Sequence, residues 1–511
     1  MRLALSLLND VWVDNGLETL YSILKKIDDP SFKVEIANNS LIVTIEDFDE
    51  FKKKVSNAFG HIRSNLIVTV MEKELETTRE IKKDYILIQE DTKIGGKVAF
   101  KESLYNLNTV IDTTSKIFDA MINDGKKRCV ICGQSFAKPI KKLQQAAYPF
   151  VTKIKSLSGI RSYKNEGSYS LQEYYDDFCP ACYLRGIIQW TDDAMIYRTI
   201  PGEKSTLFLP QISKLNELVK FKHRCRSILN KDGRYQNIRE EINSSKIEKT
   251  SGTFSTLLCF YEKFFVNIQG EYSNKSWAIM EIPFGTVKNI KFYTLNIEES
   301  ILEIMLYFWK DFGFGLYSGI IKAISFFNSN RNGPPVDWKL TEQIREDLSK
   351  AYLENDFCVF ANVFLPQKGG QIGFSKETRE KFEKFLYKWR FESMGLNEEN
   401  FKMLKAAGKT IAVASRSHQS LLYKLDKAKD KSALLDAIRQ VSRKIVGLKP
   451  EEKEKYTNYI YPPSLEELVI LLETHSADRK FIEDLRNTLV IFACVETSKL
   501  NYFAGAKGGN E

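Results

Sequence analysis

The sequence predicts an α+β protein of several domains: an α/β amino-terminal part, a four-cysteine insertion and a carboxy-terminal helical bundle. Three observations carry this. Strand-type and helix-type periodicities alternate up to residue 120. Two C-x-x-C pairs follow, Cys129-Val-Ile-Cys132 and Cys179-Pro-Ala-Cys182. After Ser375 strand signal all but disappears and helical periodicity takes over.

The 511 residues divide into an α+β domain (1–120), a zinc-binding basic region (121–230), an aromatic-rich, mainly helical core (231–374) and the bundle (375–511). With 43% hydrophobic and 12% aromatic residues, wholesale disorder is excluded. Eight cysteines in such a length are not the density of a secreted disulfide scaffold. The apolar start, Met1 to Leu8, turns polar at Asn9-Asp10, too soon for a signal peptide. The apolar segment 301–327 contains Glu303, Lys310, Asp311 and Lys322, and is read as a buried helix pair and not a membrane span. A soluble, cytoplasmic protein is expected.

Residues 3–8 form a strand, and Asp14 or Asn15 caps a helix running to Lys26, with Leu17, Leu20, Tyr21 and Leu24 on one face. Lys33–Ile36 and Leu41–Ile45, joined by Asn38-Asn39, read as a hairpin. A helix over 47–59 and a second hairpin, 85–89 with 97–101 around Gly95-Gly96, complete the first domain. A helix is predicted over 183–190, and 230–252 reads as a long exposed loop. Segments 254–268 and 297–327 have helical period, and breaks fall at 328–335 and 366–373. Beyond these, Ser375 caps a helix, followed by helices near 398–406, 414–446 and 464–498, punctuated by Pro450 and Pro462-Pro463.

A C-x-x-C pair puts two thiolates on one side of a tight turn, and two such pairs supply the tetrahedral set of a structural zinc. Cys129, Cys132, Cys179 and Cys182 are the predicted ligands, although 46 intervening residues exceed the usual gap. Redox-active pairs or disulfides are the alternatives. Four thiolates leave no open position for water, which argues against catalytic zinc.

Charge is concentrated in two places. From 126 to 164 there are ten cations and no acid: Lys126, Lys127, Arg128, Lys138, Lys141, Lys142, Lys153, Lys155, Arg161 and Lys164. Phe136, Tyr148, Phe150 and Tyr163, interleaved with them, could stack on bases. From 402 to 449 twelve cations face three acids, a local +9 equal to the net charge of the chain. Lys409, Arg416, Lys424, Lys427, Lys431, Arg439, Arg443 and Lys444 are the candidate nucleic-acid contacts there. Enzyme signatures are missing. None of His61, His223, His418 and His475 precedes an Asp, and Gly408-Lys409-Thr410 lacks the earlier glycine of a phosphate loop, since position 403 is Met403. His223-Arg224-Cys225 reads as a basic surface turn.

The opening Asn9-Asp-Val-Trp-Val-Asp14-Asn-Gly16-Leu-Glu-Thr-Leu20, the two cysteine pairs and the helical tail together resemble the CXXC–CXXC family of large subunits of type I CRISPR interference complexes (Cascade), of subtype I-B or the related I-A. The resemblance spans the architecture, with two short segments carrying it in detail. It implies a non-enzymatic component of antiviral defence. Such a subunit binds guide CRISPR RNA and target double-stranded DNA, recognises the protospacer-adjacent motif and stabilises the R-loop. Its partners are the backbone and foot subunits and the helicase–nuclease effector. It also implies that the bundle resembles the separate small subunit, which an internal start at Met394 or Met403 could produce as extra copies. Motif-reading loops in such subunits are glycine-containing. Gly95-Gly96, the 159–167 loop (Gly159, Arg161, Lys164, Asn165) and Gly369-Gly370 are the candidates, each also readable as an ordinary turn. Two other classes remain open: a nuclease with dispersed carboxylates, and a zinc-stabilised RNA-binding scaffold.

Overall fold

The structure, a computed structural model, describes residues 1–62, 67–73, 80–86, 92–94, 97–99, 107–123, 125–140, 147–148, 178–189, 192–200, 204–229, 252–268, 276–283, 291–328, 336–367, 369–416, 418–475 and 477–503. The fold is α+β, with small antiparallel sheets, a four-cysteine cluster and a helical carboxy-terminal region. The chain forms two compact units, Met1–Glu241 with Glu271–Asn296, and Ile242–Gly270 with Ile297–Glu511.

In the first unit, β1 (Arg2–Ser6), β2 (Phe32–Ala37) and β3 (Ser40–Ile45) form a sheet in the order β1-β3-β2. Both residues of the β2–β3 turn, Asn38 and Asn39, take positive φ (49° and 59°), as a type I′ hairpin turn requires. Leu5, Val34, Leu41, Val43 and Ile45 of this sheet share a core with Val13, Leu17, Leu20 and Leu24 of α1 (Val11–Ile27). The cap of α1 corrects the expectation. Asp10, not Asp14 or Asn15, accepts from the Trp12 and Val13 N–H groups at 3.1 and 2.9 Å. The helix therefore begins a turn earlier and carries Asp14 and Asn15 into its interior face. Phe51 of α2 (Phe48–Ile62) meets Phe32 and Phe118 edge-on, each at 5.0 Å, and so ties α3 (Leu107–Met121) to the sheet.

The second hairpin differs from its prediction. Tyr85 and Ile86 belong to β5 (Glu80–Ile86), opposite Val68 and Ile67 of β4 (Ile67–Lys73). The partner of β7 (Lys97–Ala99) is β6 (Thr92–Ile94). A β-branched run does not name its partner, and Ile67–Met71 is the longer one available. The cysteine region follows, with β8 (Lys127–Arg128), β9 (Ser135–Phe136) and α4 (Pro180–Ile188). Then β10 (Ile196–Ile200), β11 (Lys204–Pro210), β12 (Ser276–Pro283) and β13 (Lys291–Asn296) form an antiparallel sheet in that order, with α5 (Leu215–Leu229) between β11 and β12 in sequence. Nothing in the sequence reading anticipates this sheet, and β12 and β13 fall in the segment read as mainly helical. The reason lies in burial. Leu207, Phe208 and Leu209, and Trp277 through Met280, are buried on both faces, so the period-2 alternation of a strand is erased. His223-Arg224-Cys225 sits within α5, not in a turn.

The second unit contains α6 (Thr253–Ile268), α7 (Glu299–Phe312), α8 (Leu316–Gly319), β14 (Ser325–Asn328), α9 (Trp338–Leu353), α10 (Phe357–Asn362) and β15 (Gly370–Gly373). The helix pair expected over 301–327 is corrected. Gly313 at φ 66° ends α7, and Ser325–Asn328 pairs with Gly370–Gly373 as a two-stranded sheet. Ser375 caps α11 (Lys376–Leu386) through the Thr378 N–H at 3.2 Å, as expected. The bundle proper holds α12 (Glu398–Ser415), α13 (Ser420–Asp426), α14 (Lys431–Val446), α15 (Pro450–Lys455), α16 (Pro462–Thr474) and α17 (Arg479–Ser498). The single helices expected over 414–446 and 464–498 are each broken by a fresh N-cap, Asp430 and Asp478. Between Phe481 and Ser498 only Glu483 escapes burial, so α17 is the axis of the bundle. A Cβ at Gly408 would lie 2.5 Å from the Phe492 Cβ, so that glycine permits α12 to approach α17. The core is strongly aromatic: Phe360, Phe382 and Phe385 gather around Trp389, with Phe308 joined through Phe385. Segments 230–251 and 329–335, both read as loops or breaks, lie outside the described residues.

Candidate metal centre and basic surfaces

The four predicted cysteines converge: their Sγ atoms all lie within 4.8 Å of one another. Each pair gets there by a different local device. The first sits on a tight turn between β8 and β9. The Cys129 N–H donates to the Gln134 carbonyl at 2.9 Å and the Gly133 N–H to the Cys129 carbonyl at 2.8 Å. Gly133 closes the turn at φ 72°, a conformation glycine takes without steric cost. The second pair uses a helix start. Cys179 is the N-cap of α4, Pro180 occupies the first turn, and the Cys182 N–H donates to the Cys179 Sγ at 3.3 Å.

The Cys132 and Cys179 sulfurs are 3.6 Å apart, and the Cys179 N–H donates to the Cys129 Sγ at 3.4 Å. All four are free thiols. Metal–sulfur bonds of about 2.3 Å in a tetrahedron put sulfurs about 3.8 Å apart, so this set fits a metal ion. Cys129, Cys179 and Cys182 are buried and Cys132 half-buried. Hydrogen bonds from Cys132, Cys179 and Cys182 hold the Cys129 thiol far below the usual range. The bond with Cys129 pushes Cys132 up, but those with Cys179 and Cys182 outweigh it and bring it down to about 7. Hydrogen bonding to Cys129 drives Cys179 and Cys182 upward. By itself the cluster thus favours ionising Cys129 and, less strongly, Cys132, and resists ionising Cys179 and Cys182; a divalent cation would supply the field that ionises all four. Among the described residues this is the one group of three or more His, Cys, Asp or Glu placed to hold a metal ion.

Helix α4 leads from the thiols to the opening helix. A Cβ at Gly16 would lie 2.0 Å from the Arg185 carbonyl oxygen, and one at Gly186 2.0 Å from that of Ala147. The Trp12 Nε1–H donates to the Gly186 and Ala147 carbonyls at 2.9 and 3.1 Å. Arg185, 1% exposed, donates from Nη1 to the Ser6 carbonyl at 2.9 Å. Asp14 accepts from the Leu8 N–H at 2.8 Å, and burial raises its carboxyl to about 6. Asn15 donates to the Pro210 carbonyl at 3.0 Å and so joins α1 to β11. The opening sequence is therefore a packing motif.

One charged constellation was missed by the sequence reading. Glu18, Asp192 and Lys222 are buried together, with the Lys222 Nζ 2.5 Å from Asp192 and 3.2 Å from Glu18. Arg226 grips both Glu18 oxygens at 2.9 and 3.0 Å and also bonds Asp193, which Lys26 meets at 2.9 Å. Burial alone would raise Glu18, yet Lys222 and Arg226 hold it below the usual carboxylate range. Asp192 is pushed up by burial, and Glu18 adds to that push. These carboxylates are consumed by cations, so the cluster is an ion-pair lock and not a nuclease centre.

The basic residues divide sharply. Lys126, Lys127, Arg128 and Lys138 are exposed beside the thiol turn. Lys141, Lys142, Lys153, Lys155, Arg161 and Lys164 lie outside the described residues, as do Phe150, Tyr163, Gly95-Gly96 and the 159–167 loop. One expected base-stacker, Phe136, is corrected, and Tyr148 is half-buried. Phe136 is 3% exposed and belongs to the core, and the Tyr148 hydroxyl is engaged by Asp10. Gly369, at φ 74°, makes the turn in which Gln367 and Gly370 bond each other.

In the bundle, Lys431 is held by Glu473, Lys424 by Asp436 and Arg416 by the Tyr456 hydroxyl. Arg439 and Arg443 lie one and two turns beyond Asp436 on the exposed face of α14, and the Lys444 Nζ is 3.1 Å from His418. Among the described residues Lys409, Lys427, Arg439 and Arg443 form no direct ion pair, although Arg439 and Arg443 act on Asp436, and Lys427 on Asp426, at longer range. No helix among the described residues is long and apolar enough to cross a membrane. No protein-family model and no curated protein matches the chain.

Proposed function

We propose that this chain is the large subunit of a type I CRISPR interference complex, of subtype I-B or the related I-A, acting without catalysis of its own in the cytoplasm. In this reading it binds target double-stranded DNA beside the guide CRISPR RNA, recognises the protospacer-adjacent motif, stabilises the R-loop and helps recruit the helicase–nuclease. One observation carries the proposal. The two segments on which the family resemblance rests, 9–20 and the cysteine pairs, are packed on each other through Trp12, Gly16, Arg185 and Gly186. The metal is zinc in this proposal, because four sulfurs in a closed tetrahedron are the donor set of structural zinc. Its role is to hold Lys126, Lys127, Arg128 and Lys138 at the protein surface, where phosphate contacts fit exposed cations.

Met394 precedes the Asn397–Asn400 capping box of α12, whereas Met403 lies inside that helix. An internal start at Met394 would leave the bundle's helices whole, so it is the favoured origin of any separate small subunit. The decisive experiment is co-purification of the full chain with the products of its neighbouring genes. Guide RNA and backbone subunits are expected to accompany it, and mass spectrometry should show a short product beginning at Met394. A complex free of RNA would overturn the assignment, and metal-dependent DNA cleavage by the purified chain would favour the nuclease class.

A further inference from the structure

We infer that metal occupancy of the four-thiol centre sets the position of the opening helix α1, a helix that supplies none of the ligands. The inference rests on the metal reading above and goes beyond a local staple. Its first link is the shortness of α4, nine residues from Pro180 to Ile188. A helix of that length does not persist by itself in water, so its position is set by what holds its ends and faces.

Its amino-terminal end is held by the thiols. Cys179 caps it and Cys182 lies in its first turn; the Cys182 N–H to Cys179 Sγ and Tyr183 N–H to Cys179 carbonyl (2.9 Å) bonds are local. Without a metal, the Cys179 N–H to Cys129 Sγ bond (3.4 Å) and the Cys132–Cys179 sulfur contact (3.6 Å) tie this end to the other cysteine pair. The next turn carries the contacts to α1. There the Arg185 carbonyl occupies the space that a Gly16 Cβ would fill, and the Gly186 carbonyl accepts from Trp12 at 2.9 Å. Arg185 also reaches β1 through the Ser6 carbonyl at 2.9 Å. These contacts tolerate little displacement. A helix crossing with backbone in the place of a side chain cannot slide without collision, and the indole N–H loses two carbonyls at once.

Hydrogen exchange read by mass spectrometry on the full chain tests this. Bound metal is titrated out with a chelator and its release is followed colorimetrically. Peptides covering 11–27 are expected to lose about tenfold or more of their protection together with 180–188, while those covering 479–498 stay unchanged. Release of metal with 11–27 still fully protected would overturn the coupling and leave the staple intact. A purified chain that neither holds nor takes up metal overturns both. Trp12→Phe provides an arm independent of chelation. It keeps an aromatic ring, though a smaller one, and removes the N–H, so exchange over 11–27 should rise with metal content unchanged. Wild-type exchange in that variant would mean that the contact does not hold α1, and the inference fails.

Discussion

The two compact units are held together by different chemistry. The first buries charge and sulfur: Glu18, Asp192 and Lys222 at 1% side-chain exposure or less, with the thiols a short helix away. The second buries some charge too, Arg486 and Glu496 among it, but its core is dominated by rings, with Phe360, Phe382, Phe385 and Trp389 packed against one another in stacked, tilted and edge-on pairs. Rings can be exchanged for other apolar side chains of similar volume at modest cost. A buried charge cannot lose its partner without leaving the other stranded. The first unit should therefore be brittle to isosteric polar changes, and the second tolerant of apolar ones.

Glu18→Gln is the sharpest way to break that contrast. It keeps shape but removes the charge that Lys222 and Arg226 share, leaving both cations to Asp192 and Asp193, and is expected to cost about 3–5 kcal/mol in urea unfolding. Phe385→Leu, in the middle of the ring cluster, should cost about 1–1.5 kcal/mol. Equal costs would mean that the ion cluster is no lock. Gly16→Ala comes next. Its methyl would meet the Arg185 carbonyl at 2.0 Å, so a loss of about 1–3 kcal/mol and lowered thermal stability are expected. Gly133→Ala meets nothing within 4 Å and carries only the left-handed penalty of about 1–2 kcal/mol.

Asp14 gives the first unit a pH dependence of its own. Its folded pKa of about 6 lies above the ordinary 3.8, because burial disfavours the charged form. The stability it contributes is complete below pH 3.8 and is lost as pH rises through about 6. Asp14→Asn should flatten the stability profile over that window, where the wild type loses at most about 1.4 kcal/mol per pH unit. Parallel profiles for the two proteins would place the titration elsewhere.

What could be read in the sequence was what is local. The Asn38-Asn39 turn, the Ser375 cap and the cysteine pairs each declare themselves within a few residues, and each stands as expected. The ion cluster does not, since Glu18 and Arg226 are 208 residues apart and either looks like an ordinary surface charge on an amphipathic helix. The β10–β13 sheet was hidden by its own burial, as Trp277–Met280 shows. The Asp10 cap was missed because Asp14 and Asn15, equally good capping types, stand one turn later. Their burial follows from what α1 packs against, which no local pattern states.

Charge at the surface inverts the rule that holds inside. Buried cations matter because they are paired; exposed ones are available to a polyanion only when they are not. The eight bundle cations singled out by composition are therefore not equivalent. Arg439→Glu with Arg443→Glu removes two charges that no direct ion pair holds from one exposed helix face. Duplex DNA affinity, read by fluorescence anisotropy between about 50 and 200 mM salt, should fall about tenfold or more, and the salt slope should shrink by about one per lost phosphate contact. Lys431→Gln, whose ammonium is already held by Glu473, should leave both within about twofold. If Lys431→Gln weakens binding as much as the double reversal, neighbouring acids do not decide which cations meet the phosphates, and the net +9 of residues 402–449 acts as a diffuse field instead.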